Sequence, residues 1–565
     1  MDARWILRDE VSPTQVSAFA GELNIPLSIA RILLHRGIDT LEKAKTFFRP
    51  ALQNTHDPFR MRDMDVAVDR LARAVRRREN IVIYGDYDVD GTTSVSMIYR
   101  FLSRLGVKAK FYIPDRLRDG YGLSEQGIRE IHSWGADLIL TTDCGITAVD
   151  EVRLAAELGM DVIVTDHHEP SEVLPPGLAV LNPRRPGCDY PFKDLAGVGV
   201  AFKLLQALSR ALDLPPEYHE DLLDFVAIGS AADIVPLTGE NRILVHEGLQ
   251  RLSRTEKVGI KALMDSSGLR PGHIGTGQIV FILAPRINAV GRMGSAARAV
   301  HLLISENPQQ AANIASILER ENRNRKDVDE ETFRQAEMLL EREYDPERDR
   351  VIVLAHEGWH AGVIGIVASR IVEKYYRPTV MIALENGTGK GSARSIPGFD
   401  IYRALKSCEN LMTGFGGHKY AAGLSIAADK IEPLRRCLNR YAWQTMTDET
   451  LVPKIHVDSP LKLREIDGKF WALLKRFAPF GPQNMRPVFM SRNLEVIGSP
   501  QIVGNNHLKF KVRQNGIIID AIGFNLGDLL YRIEPGRKNL DMVYVIDENE
   551  YLGRKTLQLR VKDLR

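Results

Sequence analysis

Asn80-Ile81-Val82-Ile83-Tyr84-Gly85-Asp86-Tyr87-Asp88-Val89-Asp90-Gly91-Thr92-Thr93-Ser94 decides how the chain is read. Ile81 to Tyr84 is a short apolar run of the kind that forms a buried strand. Gly85 breaks it, and Asp86, Asp88 and Asp90 follow at alternate positions. Gly91 then permits an unusual backbone angle, and Thr92 to Ser94 start a helix whose apolar side holds Val95, Ile98, Leu102 and Leu105. Carboxylates this close repel one another, and a cation among them removes the repulsion. A solvated acidic turn is the plainer reading, and this stretch by itself leaves both open.

Downstream, strands and helices alternate. Residues 107–113, 138–142, 162–165 and 178–181 read as strands and 148–158 as a helix. That rhythm predicts a mostly parallel sheet with helices on both faces, and in such sheets ligands collect outside the carboxyl ends of the strands. Three polar strand ends therefore point to one place: Asp86, Asp88 and Asp90; Asp143 in Thr141-Thr142-Asp143-Cys144-Gly145; and Asp166-His167-His168. Residues 221–234 read as a helix, and Pro236 sets Asp233 near its C-terminal edge. Taken alone, Asp233 is an unremarkable surface carboxylate. Clustered Asp and His have the character of an Mn²⁺ or Mg²⁺ site. The cluster exceeds what one ion uses, so two ions about 3.5–4 Å apart are the simpler reading, clamping a phosphate and acidifying a bridging water.

The 565 residues have room for roughly three to five domains. A composition 44% hydrophobic and 26% charged is that of an ordinary globular protein, and a net charge of +2 means that any basic surface is local. Cys144, Cys188, Cys408 and Cys437 lie far apart without metal-ligand spacing, which predicts a reducing compartment and no need for disulfides. The N-terminus lacks the apolar core of a signal peptide, and no apolar run nears the roughly 18 residues of a membrane span. We expect a cytoplasmic protein that does not engage membranes.

Five segments are expected: a helical cap over 1–55, an α/β domain over 56–305, a connecting helix over 306–345, a second α/β domain over 346–450 and a β-barrel over 451–565. Residues 284–294 mix Gly, Arg286 and Arg292, reading either as a loop that meets an anion or as a tight turn with solvated arginines. The polar helix over 308–344, with pairs such as Glu321 and Arg325, suits a bridge between domains. In the second domain, 389–395 and 413–423 read as glycine-rich loops carrying Ser392, Arg394 and His418, which suit phosphate. Near the C-terminus, Lys509, Lys511 and Arg513 share one face of a strand, and Gln514-Asn515-Gly516 supplies a hairpin turn. A basic face on a small barrel is how oligonucleotide-binding (OB) folds track a single strand, and an ordinary solvated face is the alternative.

The stretches Gly85 to Ser94, Asp143-Cys144-Gly145, Asp166-His167-His168 and Asp233-Ile234-Val235-Pro236-Leu237 resemble the four motifs of the DHH phosphoesterase superfamily. Residues 389–395 and 416–423 resemble its associated DHHA1 domain. Motif order and the terminal additions resemble the superfamily's bacterial single-strand-specific 5′→3′ exonucleases over nearly the whole chain. Asp86 stands where many members have His, a departure usual in that branch. The resemblance implies one ion held by Asp86, Asp88 and Asp143, and another by Asp90, Asp143, His167 and Asp233, with Asp143 bridging. His168 would donate to the phosphate or the leaving oxygen, and Asp166 would orient a histidine or support its strand end. A pocket for the 5′ phosphate is implied at Arg116, Arg292, Ser392 and Arg394, with Arg286 and His418 nearby. Also implied are release of mononucleotides from single-stranded DNA in recombination and repair, a monomer, and partnership with a helicase and a single-strand-binding protein.

Three rivals are weaker. Asp88-Val89-Asp90-Gly91-Thr92 also resembles the haloacid-dehalogenase signature, with Asp88 as nucleophile, but that chemistry has no use for Asp166-His167-His168. A non-catalytic DNA-binding scaffold would have no reason to keep every ligand. Relatives acting on short oligonucleotides or cyclic dinucleotides usually lack the terminal additions.

Overall fold

The computed structural model describes residues 3–8, 11–115, 120, 122–272, 274–551 and 554–565. They form two compact units, one of residues 5–288, 296–315 and 456–565, the other of 1–4, 289–295 and 316–455. The larger unit opens its α/β part with five parallel strands: β1 (Ile81–Gly85), β2 (Lys110–Tyr112), β3 (Leu138–Thr142), β4 (Asp161–Thr165) and β5 (Ala179–Leu181). Their order is 2-1-3-4-5. β1 and β3 are buried at every position, which suits parallel strands covered on both faces. Sequence order reverses between β1 and β3, the switch point at which such sheets open a crevice. Helices α1 (Val89–Arg104), α2 (Gly197–Ala211) and α3 (Leu223–Ala232) pack on one another beside it.

Two local expectations are corrected here. Gly91 lies inside α1 and takes no left-handed angle; it serves clearance, since a Cβ there would sit 2.4 Å from the Asp86 carbonyl oxygen. Residues 284–294 are not a loop: Ala284–Met293 is helical and follows a π-helical segment, Ile279–Leu283. The wider π turn just before Pro285 accommodates the proline's missing N–H.

The smaller unit contains β6 (Ile352–Glu357), β7 (Thr379–Glu385), β8 (Thr388–Arg394), β9 (Gly414–His418) and β10 (Ala421–Ala427), in the order 9-10-8-7-6. The 36-residue α4 (Pro308–Glu343) leads into it, and α5 (Ile364–Tyr375) covers its sheet. Arg325 of α4 is buried and donates to Asn322 instead of pairing with Glu321; ion pairs on α4 include Arg323 with Glu319, 3.0 Å apart, and Arg334 with Glu331, 2.7 Å apart. Both glycine-rich stretches are mainly strand: the first lies in β8, and the second is the β9–β10 hairpin with its turn at Lys419 and Tyr420. In the first stretch glycine is used because neighbours press in: a Cβ at Gly389 would lie 2.6 Å from Ile382 Cγ2, and one at Gly391 would lie 2.7 Å from Leu424 Cγ. In the second, a Cβ at Gly414 or Gly416 would meet nothing within 4 Å, and Gly417 takes φ 140. Cys408 and Cys437 form a disulfide, against the expectation of none. The fold brings their Cα atoms to 6.2 Å, within bridging range although they are distant in sequence.

The rest of the larger unit is a closed barrel of β11 (Phe489–Val503), β12 (His507–Gln514), β13 (Ile517–Gly523), β14 (Lys538–Tyr551) and β15 (Arg554–Leu564). β11 pairs with both β12 and β14, which closes it. Asn515 and Gly516 both take positive φ in the β12–β13 hairpin, as its turn requires. Lys509, Lys511 and Arg513 do face outward, but Arg513 pairs with Glu495, and Lys511 lies 3.8 Å from Asp520. The N-terminal helices Pro13–Leu23, Leu27–His35 and Leu41–Phe48 share one core with the barrel, through Ile29, Leu33, Phe477 and Phe489. Among the described residues, no single helix is long and apolar enough to cross a membrane.

Candidate metal centre

The strand ends deliver their carboxylates to one buried place. Asp143, after β3, adopts φ 60, and its N–H bonds the Thr165 carbonyl at 3.0 Å. Asp90 lies in the first turn of α1, where its Oδ2 accepts from the Gly197 N–H at 2.6 Å and its Oδ1 from the Val198 N–H at 3.0 Å. The start of α2 thus fixes Asp90, with the helix dipole favouring its charge. Asp88 caps α1 by accepting from the Gly91 N–H. Asp233 ends α3, followed by Ile234 at φ 62, a strained angle for a β-branched residue.

His167 Nε2 lies 3.2 Å from Asp143 Oδ1, 3.6 Å from Asp233 Oδ2 and 3.9 Å from Asp90 Oδ2. Three groupings of donor atoms within metal-binding reach result: Asp86, Asp88 and Asp143; Asp90, His167 and Asp233; and Asp143, His167 and His168. Asp143 belongs to two of them. Two glycines make the approach physically possible. A Cβ at Gly197 would lie 2.6 Å from Asp143 Oδ1, and one at Gly229 would lie 2.7 Å from Asp90 Oδ1.

Electrostatics sharpen the picture. Burial, then the charge of Asp88, pushes Asp90 up to about 7. Burial and the neighbouring carboxylates likewise hold Asp143 and Asp233 well above the usual carboxylate range. Burial and the His168 charge bring His167 down to about 4, so its imidazole is neutral at pH 7 with a lone pair to give. Carboxylates that resist ionising beside a neutral imidazole fit a divalent cation, which reverses the penalty. His168 differs. Burial opposes its charge, but the Asp166 carboxylate, 2.7 Å from Nδ1, outweighs it and lifts the group to about 9. Asp166 also accepts from the N–H groups of Ile146, His167 and His168.

Of the expected anion-binding residues, the smaller unit brings several together. Arg394 Nη1 donates to Ser392 Oγ at 3.1 Å. Both side chains lie against the first turn of α5, where a Cβ at Gly365 would sit 2.8 Å from Ser392 Oγ and 2.9 Å from Arg394 Nη2. Arg292 donates to the Gly362 carbonyl just before that turn. His418 is on β9, exposed, across from Ala421, which pairs with Arg394. Arg286 belongs to the larger unit and bonds the Ile282 carbonyl. Arg116 lies outside the described residues. The sequence reading missed Gly197, Val198, Gly229, Gly362 and Gly365; Gly197-Val198-Gly199 at a helix start was the one available signal.

A 2-1-3-4-5 sheet with this acidic switch point, followed by a second mixed-sheet domain, defines a DHH-type protein. Models of the DHH family N-terminal domain, the DHHA1 domain and the RecJ OB domain match residues 80–230, 348–444 and 457–563. The chain belongs to the RecJ family. It is 42% identical over 554 residues to the single-stranded-DNA-specific exonuclease RecJ of Bacillus subtilis, covering 97% of this chain and 69% of that one. The Salmonella typhimurium RecJ is 34% identical, with 96% of each covered. The crystal structure of Thermus thermophilus RecJ in complex with Mn²⁺ aligns with 100% of this chain and 79% of that one, at TM-score 0.85 and 32% identity. Its Mg²⁺ complex aligns at TM-score 0.77.

Proposed function

We propose that this chain is a single-strand-specific DNA exonuclease working 5′→3′ with two Mn²⁺ or Mg²⁺ ions, releasing mononucleotides in recombination and repair. The observation that carries the reading is the meeting of His167 Nε2 with Asp143, Asp233 and Asp90 between 3.2 and 3.9 Å. Asp143 also reaches the group formed by Asp86 and Asp88. When bound, the two ions supply the charge that activates a water and offsets the negative charge of the reacting phosphate.

The chain's own residues do the rest. Asp90, His167 and Asp233 hold one position, Asp86 and Asp88 the other, and Asp143 spans both. His168, kept protonated by Asp166, donates to the phosphate or to the leaving oxygen. Arg292, Ser392 and Arg394, with the first turn of α5, receive the 5′ phosphate through charge-assisted hydrogen bonds and the helix dipole. The barrel holds the strand beyond by backbone charge and base stacking, without regard to sequence. We read the protein as a cytoplasmic monomer that meets its substrate alongside a helicase and a single-strand-binding protein.

The test uses single strands labelled at either end, Mn²⁺, and an Asp143→Ala variant. Early mononucleotide release from the 5′ end, abolished in the variant, supports the reading. Release from the 3′ end, or undiminished activity in the variant, overturns it.

A further inference from the structure

Asp233 is carried on a turn that the C-terminal part of the chain holds in place. It is the last ligand before Ile234-Val235-Pro236-Leu237, and Ile234 is 61% exposed at its strained φ of 62. Within the chain around it, the Asp233 N–H bonds the Gly229 carbonyl at 2.9 Å. Beyond it, the Leu237 N–H donates to the Pro482 carbonyl at 2.9 Å, and the buried Leu237 side chain faces Gly481 so closely that a Cβ there would lie 2.6 Å from Leu237 Cδ1. Asn241, fully buried, donates to the Pro236 carbonyl at 3.0 Å.

The segment pressing on Leu237 is itself rigidly held. Asn484, 1% exposed, donates to the carbonyls of Phe477 and Pro479, and Arg36 of the N-terminal helices donates to the Asn484 side chain. Arg242 donates to the carbonyls of Phe477, Arg476 and Phe47. Thr276 donates to the Phe480 carbonyl. Phe477 to Asn484 is therefore a fixed stop clamped from the α/β part, the N-terminal helices and its own Asn484, and its free edge meets the Asp233 turn.

We propose that this segment is a positioning element of the metal centre, acting through Leu237 to set where the Asp233 carboxylate lies. The proposal rests on the metal reading above and adds a second task for the C-terminal region, besides holding DNA. Reciprocity follows: a segment that favours the metal-competent turn is itself steadied when metal binds.

Gly481→Ala tests it, because the added methyl must displace Leu237. Binding is read with Mn²⁺ alone, by calorimetry or by loss of the free-ion paramagnetic signal, and separately from single-strand affinity in Ca²⁺. The expected result is an Mn²⁺ midpoint about tenfold higher, the scale of outer-shell defects, with single-strand affinity unchanged and nuclease activity recovering at high Mn²⁺. In a Leu237→Ala background, which makes room for the methyl, Gly481→Ala should have no further effect. An unmoved midpoint in a folded Gly481→Ala protein, or the same shift in both backgrounds, overturns the proposal. If the variant does not fold, hydrogen exchange on the unaltered chain decides: Mn²⁺ should slow exchange over 477–484 as well as over 233–237, and an unaffected 477–484 refutes the idea. An unaltered chain that binds no Mn²⁺ would sink the metal reading too, whereas binding with an unmoved midpoint sinks the positioning role alone.

Discussion

Replacing Gly197 by Ala should cripple the reaction while leaving the DNA-binding surfaces untouched. The new Cβ would lie 2.6 Å from Asp143 Oδ1 and 2.7 Å from Asp143 Cβ, about 0.8 Å inside ordinary contact. One side must yield, and either way a proposed ligand moves. If Asp143 retreats, the carboxylate proposed to serve both ion positions is displaced well beyond the roughly 0.2 Å tolerance of a metal–ligand distance. If α2 retreats, the Gly197 and Val198 N–H groups that hold Asp90 at 2.6 and 3.0 Å go with it. Misplacement on this scale costs on the order of 10²-fold in rate, and the overpacking costs about 1–3 kcal/mol of stability. The assay is single-turnover release of 5′ label at saturating Mn²⁺, alongside single-strand affinity in Ca²⁺ and a thermal melt. A folded variant whose rate stays within about threefold of the unaltered chain would refute the argument that this clearance sets the metal geometry.

Asp166→Asn should lower the His168 pKa from about 9, because the carboxylate that favours its charge is gone. His168 then loses its proton at lower pH, so the rate should fall on the order of tenfold at pH 8 and little at pH 6; a pH profile of unchanged shape would refute this. In metal-free protein, Asp90 held near 7, with Asp143 and Asp233 also raised, means that the folded state binds more protons than the unfolded one. Stability should therefore fall as pH rises from about 4 to 7, by on the order of 4 kcal/mol at Asp90, with the lowered His167 offsetting part of the loss below about pH 6.5. Stabilisation by Mn²⁺ should grow over the same window; urea melts at pH 5 and 8 that give equal Mn²⁺ increments would contradict it. Arg394→Ala should reduce the preference for a 5′-phosphorylated over a 5′-hydroxyl strand by tenfold or more, given about 1.5–3 kcal/mol for a charged hydrogen bond. Competition between the two strands measures it, and an equal loss on both would remove the pocket from consideration. Phe524→Ala should weaken single-strand binding by about 1–3 kcal/mol, since this half-exposed ring lies beneath Arg560 at 5.0 Å and beside His507. Fluorescence anisotropy with unlike sequences checks both the loss and its indifference to sequence.

The α/β core was legible because its signals are local. A short apolar run such as Leu138 to Leu140 reads as a buried strand in this rhythm, and parallel strands must all present their carboxyl ends on one edge. Once that is granted, Asp86, Asp143 and His167 converge without any three-dimensional information. The barrel was legible for a similar reason, since alternation from His507 to Gln514 and an Asn-Gly turn are self-contained. What could not be read were partners supplied from afar. Asp90 is fixed by amides at Gly197 and Val198, and the Cys408–Cys437 bridge follows from the packing of two helical segments.

The glycines show why the remaining errors fell where they did. A glycine read in sequence suggests a turn, because positive φ is the property visible from local chemistry alone. Asn515-Gly516 obeys that logic. Gly91, Gly197, Gly229, Gly389 and Gly391 do not: none has a positive φ, and each is short of a side chain because something from another part of the chain occupies the space. For Gly389 and Gly391 the occupant is the sheet's own packing, so the strand β8 looks like a loop. For Gly197 and Gly229 it is a carboxylate, Asp143 or Asp90, so the glycine is part of the site although it carries no chemistry. A carboxylate cluster seen in sequence is thus only half of a metal centre. The other half is the set of positions from which side chains have been removed so that the carboxylates can meet.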